Sequence, residues 1–538
     1  MKLLMEHDFD VLVVGSGIAG LSAAVQAAEY GCRTAIISGT HLFSGSSFYP
    51  GTWGFGLVGP SDENDGEDMI STIQEVGCGV TDNTLVSVFV KHINTSIERL
   101  EGMGCHPRKA AKRSEREYIP CFDHKHRSWN GLEGNELRRV FGEQLSKHQI
   151  TVWDSCVLLE LVKENDRICG AVFAASDKLI YIGCRALVLA TGGYGSLFEN
   201  HLCTDDVCGL GQALALKAGC RLVNMEFMQM MPGYLSPARN TIFNEKTFRF
   251  AKFSVPGQET FFDPEEEMLL DLRSTYGPFT SRLPSSRIDR KLYLASREHP
   301  GGVRVSYADA AKNDPPEFVK LYFDWLKQNR NVTVDDTIQI GIFSHAANGG
   351  IHINTDGWTG IEGLFACGEV TGGMHGADRI GGLSTANGLV FGQRAGKAAA
   401  AYADRHAEIH PADACRFSCW SIPDRAAIRD RLQKQMYQNA MIIRTESGLA
   451  ETLAKLSDIL ANAPRTPDTH ISSVVDSRIL EGQLMTSVAF LKAALMRRES
   501  RGSHFRDDYP APDSAMARPI GITLEREITA RFFDFPSA

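Results

Sequence analysis

Three short glycine-rich stretches carry the residues best suited to chemistry. Gly15-Ser16-Gly17-Ile18-Ala19-Gly20 has G-x-G-x-x-G spacing. Its glycines permit a tight turn, close approach of a pyrophosphate and close helix-to-strand packing, while the N-terminus of the following helix attracts the anion. His345 lies in Phe343-Ser-His-Ala-Ala-Asn-Gly-Gly350, and Arg379 ends His375-Gly-Ala-Asp-Arg379. A guanidinium suits a carboxylate because its planar fork meets two oxygens while remaining charged.

The elements around these residues point to a doubly wound α/β fold. The apolar run Asp10 to Val14 leads into the glycine turn, Leu21 to Ala28 reads as an alanine-rich helix, and Thr34 to Ile37 reads as a second strand. That strand ends on Ser38-Gly39, where an acidic residue would hold the ribose of NAD, so an NAD site is disfavoured. Ala190-Thr191-Gly192-Gly193 follows the apolar Ala186 to Leu189, as expected where another strand returns to a nucleotide.

From about 230 to 343, Pro, Phe and charged residues replace this rhythm, which predicts an inserted α+β domain. The glycine-rich style resumes at Gly349-Gly350. Leu449, Leu453, Leu456 and Leu460, then Leu480, Leu484, Val488, Leu491 and Leu495, form two apolar stripes that predict packed C-terminal helices. The expected organisation is a nucleotide-binding domain in two parts, 1–229 and 344–405, a cap at 230–343 and a helical domain at 406–538.

Composition narrows the function classes. With 56 basic against 65 acidic residues, a net charge of -9 and no polybasic run, nucleic acid is an unsuitable partner. The opening Met1-Lys2-Leu3-Leu4 is interrupted by Glu6, Asp8 and Asp10 before a signal core forms, and no apolar run of about 20 residues is apparent. A cytoplasmic location without a membrane span is expected. The 13 cysteines are scattered; even the closest pairs, Cys203 with Cys208 and Cys415 with Cys419, lack C-x-x-C spacing. Reduced thiols and no iron–sulfur cluster in this chain are expected.

Longer motifs add a family resemblance. Gly45-Ser46-Ser47-Phe48-Tyr49 resembles the flavin-contacting G-S-T-F-Y of L-aspartate oxidase, and Ala218 to Gln229 resembles its A-G-C-R-x-x-N-x-E-F-x-Q. Gly363 to Glu369, His375 to Arg379, Leu389 to Gly392 and Arg501 to Pro510 resemble, in order, further motifs of the fumarate reductase, succinate dehydrogenase and L-aspartate oxidase flavoproteins. The resemblance runs along nearly the whole chain. It implies an oxidoreductase with FAD held non-covalently, because Ser46 stands where covalent members carry a histidine.

It further implies that Gly15 to Gly20, Ser38, Gly39, Ser46 to Tyr49, Thr191, Gly192, Gly193, Glu369, Ser384 and Thr385 surround FAD. Arg379 and His345 would contact the substrate, and Arg287 would transfer a proton, with Arg282 and Arg290 as alternatives. Three departures stand out: Leu210 replaces the aspartate of G-D-G, Met231 replaces the histidine of Q-F-H-P-T, and no R-G-E-G loop is recognisable between 234 and 281.

The expected reaction interconverts a saturated and an unsaturated C–C bond beside a carboxylate or carbonyl, by hydride transfer at flavin N5, with an unidentified electron donor or acceptor. Two alternatives stay open: an amino-acid oxidase acting on C–N, and a flavin-containing electron-transfer subunit without its own substrate.

Overall fold

The computed structural model describes residues 4–258, 260–407 and 417–536. Met1 to Leu3 and Cys415 lie outside the described residues. The central sheet has seven strands in the order Thr151–Trp153, Thr34–Ile37, Leu4–Val14, Lys178–Leu189, Arg167–Ala175 and Cys156–Glu164, with Leu364–Ala366 also pairing with Lys178–Leu189. Its parallel half contains the first strand, and the last two strands run antiparallel. Val11 to Val14 and Leu187 to Leu189 are buried, in keeping with parallel strands covered on both faces.

The first strand is longer than the apolar run suggested. Backbone pairing with Ile180 to Cys184 extends it to Leu4, across an irregularity between Glu6 and Phe9. Helices Ile18–Glu29 and Leu383–Arg405 then pack backbone to backbone over the sheet. A Cβ on Gly392 would lie 2.5 Å from the Ala19 carbonyl oxygen, and one on Gly396 would lie 2.3 Å from that of Ala23. Any side chain at these two positions would separate the helices.

A second, antiparallel sheet has the order Met228–Ser236, Ile338–Ala347, Val303–Tyr307 and Ala251–Ser254, with helices Ser286–Glu298 and Glu317–Arg330 in the same stretch of chain.

The C-terminal region supplies helices Arg425–Ala440, Glu446–Asn462 and Ile471–Met496, which bury Leu449, Leu456, Leu480, Leu484, Val488 and Leu491. The expectation that no apolar stretch reaches membrane-span length is corrected: Ile471–Met496 has 26 residues and a mean hydropathy of 1.3 over its most apolar window. That window is 78% buried inside the protein, so the helix is apolar because it crosses the core.

The region is also not purely helical. Strands Ile520–Leu524 and Ile528–Phe532 return to Leu222–Val223, which pairs on its other edge with Gly350–Ile351. Beside them, Arg497 is fully buried between Glu226 at 2.7 Å and Glu499 at 2.8 Å, and Arg501 donates to the same Glu499 at 2.7 Å. Arg501 also donates to the Cys78 carbonyl at 2.6 Å and Ser503 to that of Ala377 at 2.9 Å, so the Arg501 to Pro510 motif ties the C-terminal region to the nucleotide-binding domain.

Candidate active site

The glycine turn is held from three sides. Gly15 donates to the Ile37 carbonyl at 2.8 Å, with φ +116°, and Ala190 donates to the Val14 carbonyl at 2.8 Å. A Cβ on Gly15 would stand 2.1 Å from the Ala190 oxygen, and one on Gly20 would stand 1.9 Å from the Gly15 oxygen. Ser47 Oγ accepts from the Ile18 N–H at 3.1 Å, joining the turn to the 3₁₀ segment Ser46–Phe48.

These segments border a cavity of about 850 Å³. Gly15 to Ala19, Ser38, Gly39, Ser46, Ser47, Tyr49, Thr191, Gly192, Glu369, Ser384 and Thr385 line it. Ser16 Oγ donates to Ser38 Oγ at 3.0 Å, which donates to the His41 carbonyl, so the second strand ends in a hydroxyl network and not a carboxylate.

Three expected cofactor residues act from behind this wall. Gly20 packs on Gly15, and Gly193 abuts Glu369, whose Oε1 would be 2.7 Å from a Cβ there. Phe48 turns inward against Phe43, beneath the Arg138 guanidinium. Its apolar ring is buried in the core, which corrects its placement as a cavity contact.

The lining fits a flavin dinucleotide. The glycine turn offers backbone to a pyrophosphate, Thr191 Oγ1 is buried without a hydrogen-bond partner at the cavity wall, and the Glu369 carboxylate accepts from the Ala347 N–H at 2.9 Å beside Ser46. Burial raises the Glu369 pKa.

The cap contributes His345, from strand Ile338–Ala347, and Met231, from its neighbour Met228–Ser236. Both line the cavity together with Arg379. Met231 packs with Tyr49, Leu202 and Phe343 to form an apolar wall.

Arg379 is fixed by its surroundings. Its Nε donates to Gln229 Oε1 at 2.9 Å and its Nη1 to the Ile380 carbonyl at 3.3 Å, leaving Nη2 for a ligand. The preceding Asp378 is held by Thr280 at 2.7 Å and Arg282 at 2.9 Å. Burial lowers the Arg379 pKa, and burial together with the Arg379 charge depresses the His345 imidazole to about 3. His345 is therefore neutral at working pH.

Arg287 is not in this site. It lies on the outer face of helix Ser286–Glu298 and pairs with the exposed Glu265 at 3.5 Å. Its neighbours Ile288, Asp289 and Leu292 face inward, where Asp289 binds Arg273, so helical periodicity directs Arg287 away from the cavity. Arg282 supports Asp378, and Arg290 lies over the Phe505 ring. None of the three lines the cavity.

The sequence motifs gave no sign of Cys121, Glu245 and Lys246, all of which border the cavity. Cys121 Sγ donates to Glu245 Oε1 at 3.0 Å, and Lys246 Nζ to the Ile119 carbonyl at 3.2 Å. Burial, then the Glu245 carboxylate, pushes the thiol up to about 12. Glu245 and Lys246 fall within 234–281, the stretch without a recognisable R-G-E-G loop, as an adjacent acid and base behind the turn former Asn244.

A doubly wound fold with this cavity defines an FAD-dependent oxidoreductase. Residues 10–250 and 279–385 match the FAD binding domain family, and residues 429–525 match the fumarate reductase flavoprotein C-terminal family. The chain belongs to the fumarate reductase and succinate dehydrogenase flavoprotein family, and its FAD is non-covalent.

It is 27% identical over 560 residues to the fumarate reductase flavoprotein of Mycobacterium tuberculosis, covering 95% of this chain and 93% of that one. It is 26% identical over 548 residues to L-aspartate oxidase of Yersinia pestis, covering 95% of this chain and 98% of that one. Among solved structures, Sdh1 of Mycobacterium smegmatis superposes with a TM-score of 0.82 at 25% identity, over 99% of this chain and 94% of that one.

Proposed function

We propose that this protein interconverts a saturated and an unsaturated C–C bond in a compound with a single carboxylate, or carbonyl, beside that bond. The reading is carried by Arg379 and His345 facing one cavity while Met231 supplies an apolar wall in the remaining position. Bound FAD supplies hydride acceptance or donation at the reacting carbon.

The chain's own residues do the rest. Arg379 binds the carboxylate and stabilises charge that spreads onto it as the C–C bond changes order. His345, neutral and set beside Arg379, orients an oxygen without adding charge. Proton movement falls to Glu245, Cys121 and Lys246, because Arg287 lies outside the cavity. A second substrate carboxylate would meet Met231, whose thioether cannot replace the water it loses.

Stopped-flow spectroscopy of the reduced holoprotein against enoates, imino acids and fumarate tests the reading. Rapid reoxidation by a monocarboxylic enoate is expected. Failure of every enoate, combined with reduction of the oxidised protein by amino acids, would replace it with C–N oxidation, the chemistry of the relatives named L-aspartate oxidase.

A further inference from the structure

Beyond Arg379 and His345 the cavity continues into an aromatic compartment that none of the site motifs accounts for. Trp53, Arg108, Tyr118, Trp129 and Phe318 line it. The first four come from segments that precede the cap in the chain, and Phe318 reaches in from cap helix Glu317–Arg330. Ring centroids are 4.9 Å apart for Trp53 and Phe318, 5.1 Å for Tyr118 and Trp129, and 5.3 Å for Tyr118 and Phe318. All three contacts are edge-on, each setting the edge of one ring against the face of its neighbour.

Arg108 Nε is buried in this compartment without a hydrogen-bond partner, and the buried Tyr118 hydroxyl lies against the Glu317 carboxylate. Burial, then the nearby Glu317 carboxylate, raises the Tyr118 pKa, so the hydroxyl keeps its proton. The Arg108 guanidinium lies over both indoles, 5.4 Å from the Trp53 ring and 5.8 Å from that of Trp129. Tyr118 is joined to the reacting end through Ile119, which holds Lys246, and Cys121, which holds Glu245.

We infer that this compartment is a substrate subsite for an aromatic ring, and that the substrate is an aryl-substituted enoate or its saturated counterpart. The inference rests on the proposed C–C chemistry, which places the carboxylate at Arg379 and leaves the other substituent of the double bond to extend toward the rings. The aryl group packs among these rings at the cavity wall. A methyl substituent, or a second carboxylate, would leave the compartment unfilled.

Isothermal titration calorimetry on the oxidised, FAD-loaded protein separates binding from turnover. The ligands are 3-phenylpropenoate, 3-cyclohexylpropenoate and trans-2-butenoate, which share the enoate and differ in the substituent. The phenyl compound should bind roughly 10-fold or more tightly than the butenoate, and also more tightly than the cyclohexyl compound.

In Trp129→Leu and, on the opposite wall, Phe318→Ala, the phenyl-to-butenoate affinity ratio should fall several-fold or more. Equal binding of the phenyl and cyclohexyl compounds, or a ratio unchanged in both variants, would overturn the aromatic subsite. Tight, ring-selective binding without reoxidation of the reduced protein by any enoate would instead overturn the proposed reaction and leave the subsite standing.

Discussion

Replacing Arg379 with Lys isolates the geometry of the grip from its charge. The wild-type guanidinium spends Nε on Gln229 and Nη1 on the Ile380 carbonyl, which holds its plane and aims Nη2 into the cavity. Lysine keeps one positive charge but has no planar fork to engage Gln229 and a carboxylate together. A hydrogen bond to a charged group contributes about 1.5–3 kcal/mol. At about 1.4 kcal/mol per factor of ten, losing one such contact in the transition state lowers kcat/KM by roughly 10- to 100-fold. Gln229 is fully buried, so its orphaned oxygen adds a loss of stability of about 1–3 kcal/mol. Reoxidation kinetics with a reactive enoate, the ratio of flavin to protein absorbance and a thermal melt together check these effects. Turnover within about two-fold of wild type would refute the assignment of Arg379 to the substrate. Loss of flavin would reassign it to cofactor binding.

Other substitutions test other parts of the structure. Arg287→Ala should leave turnover unchanged within about two-fold, since its Glu265 pair is exposed; a loss of about 100-fold in steady-state kinetics would return it to the reaction. Met231→His should raise kcat/KM for fumarate relative to a monocarboxylate by about ten-fold or more, measured by competition, because it restores a polar partner for the second carboxylate. Gly392→Ala places a Cβ 2.5 Å from the Ala19 carbonyl oxygen and should lower stability by about 1–3 kcal/mol in denaturant titrations. His345 and His375 both have folded pKa values depressed by burial and the Arg379 charge, His345 to about 3. The unfolded chain therefore binds more protons as pH falls below about 6.5, so their contribution is present above that pH and lost toward 3. The melting temperature should fall from pH 7 to pH 5, and less steeply in His345→Asn.

Legibility in the sequence followed locality. Gly15 to Gly20, Ser46 to Tyr49 and His375 to Arg379 are contiguous segments whose backbone shape depends on nearby residues, and each reaches the cavity. His345 is legible as a match, and Met231 as a departure, within such segments. The Cys121–Glu245 bond joins residues far apart in the chain, and no local pattern announces it. The aromatic compartment likewise combines Trp53, Tyr118 and Trp129 with a cap-helix residue. Arg287 shows the opposite limit: an approximate motif match has no bearing on which side of its helix faces inward. The C-terminal strands are not legible because Ile520–Leu524 and Ile528–Phe532 are five residues each, and their docking on Leu222–Val223 joins residues far apart in the chain.

The return of Ile520–Leu524 to Leu222–Val223 has a consequence for biosynthesis. A ribosome delivers the glycine turn early, yet the wall bearing Glu369, Ser384 and Thr385 emerges only after the whole cap, and the sheet built on Leu222–Val223 gains its outer strands later still. The flavin cradle therefore cannot close around the dinucleotide while the cap is still being made. Late cofactor capture is the expected outcome, and deleting Ile520–Leu524 and Ile528–Phe532 should lower the flavin-to-protein ratio although neither strand borders the cavity.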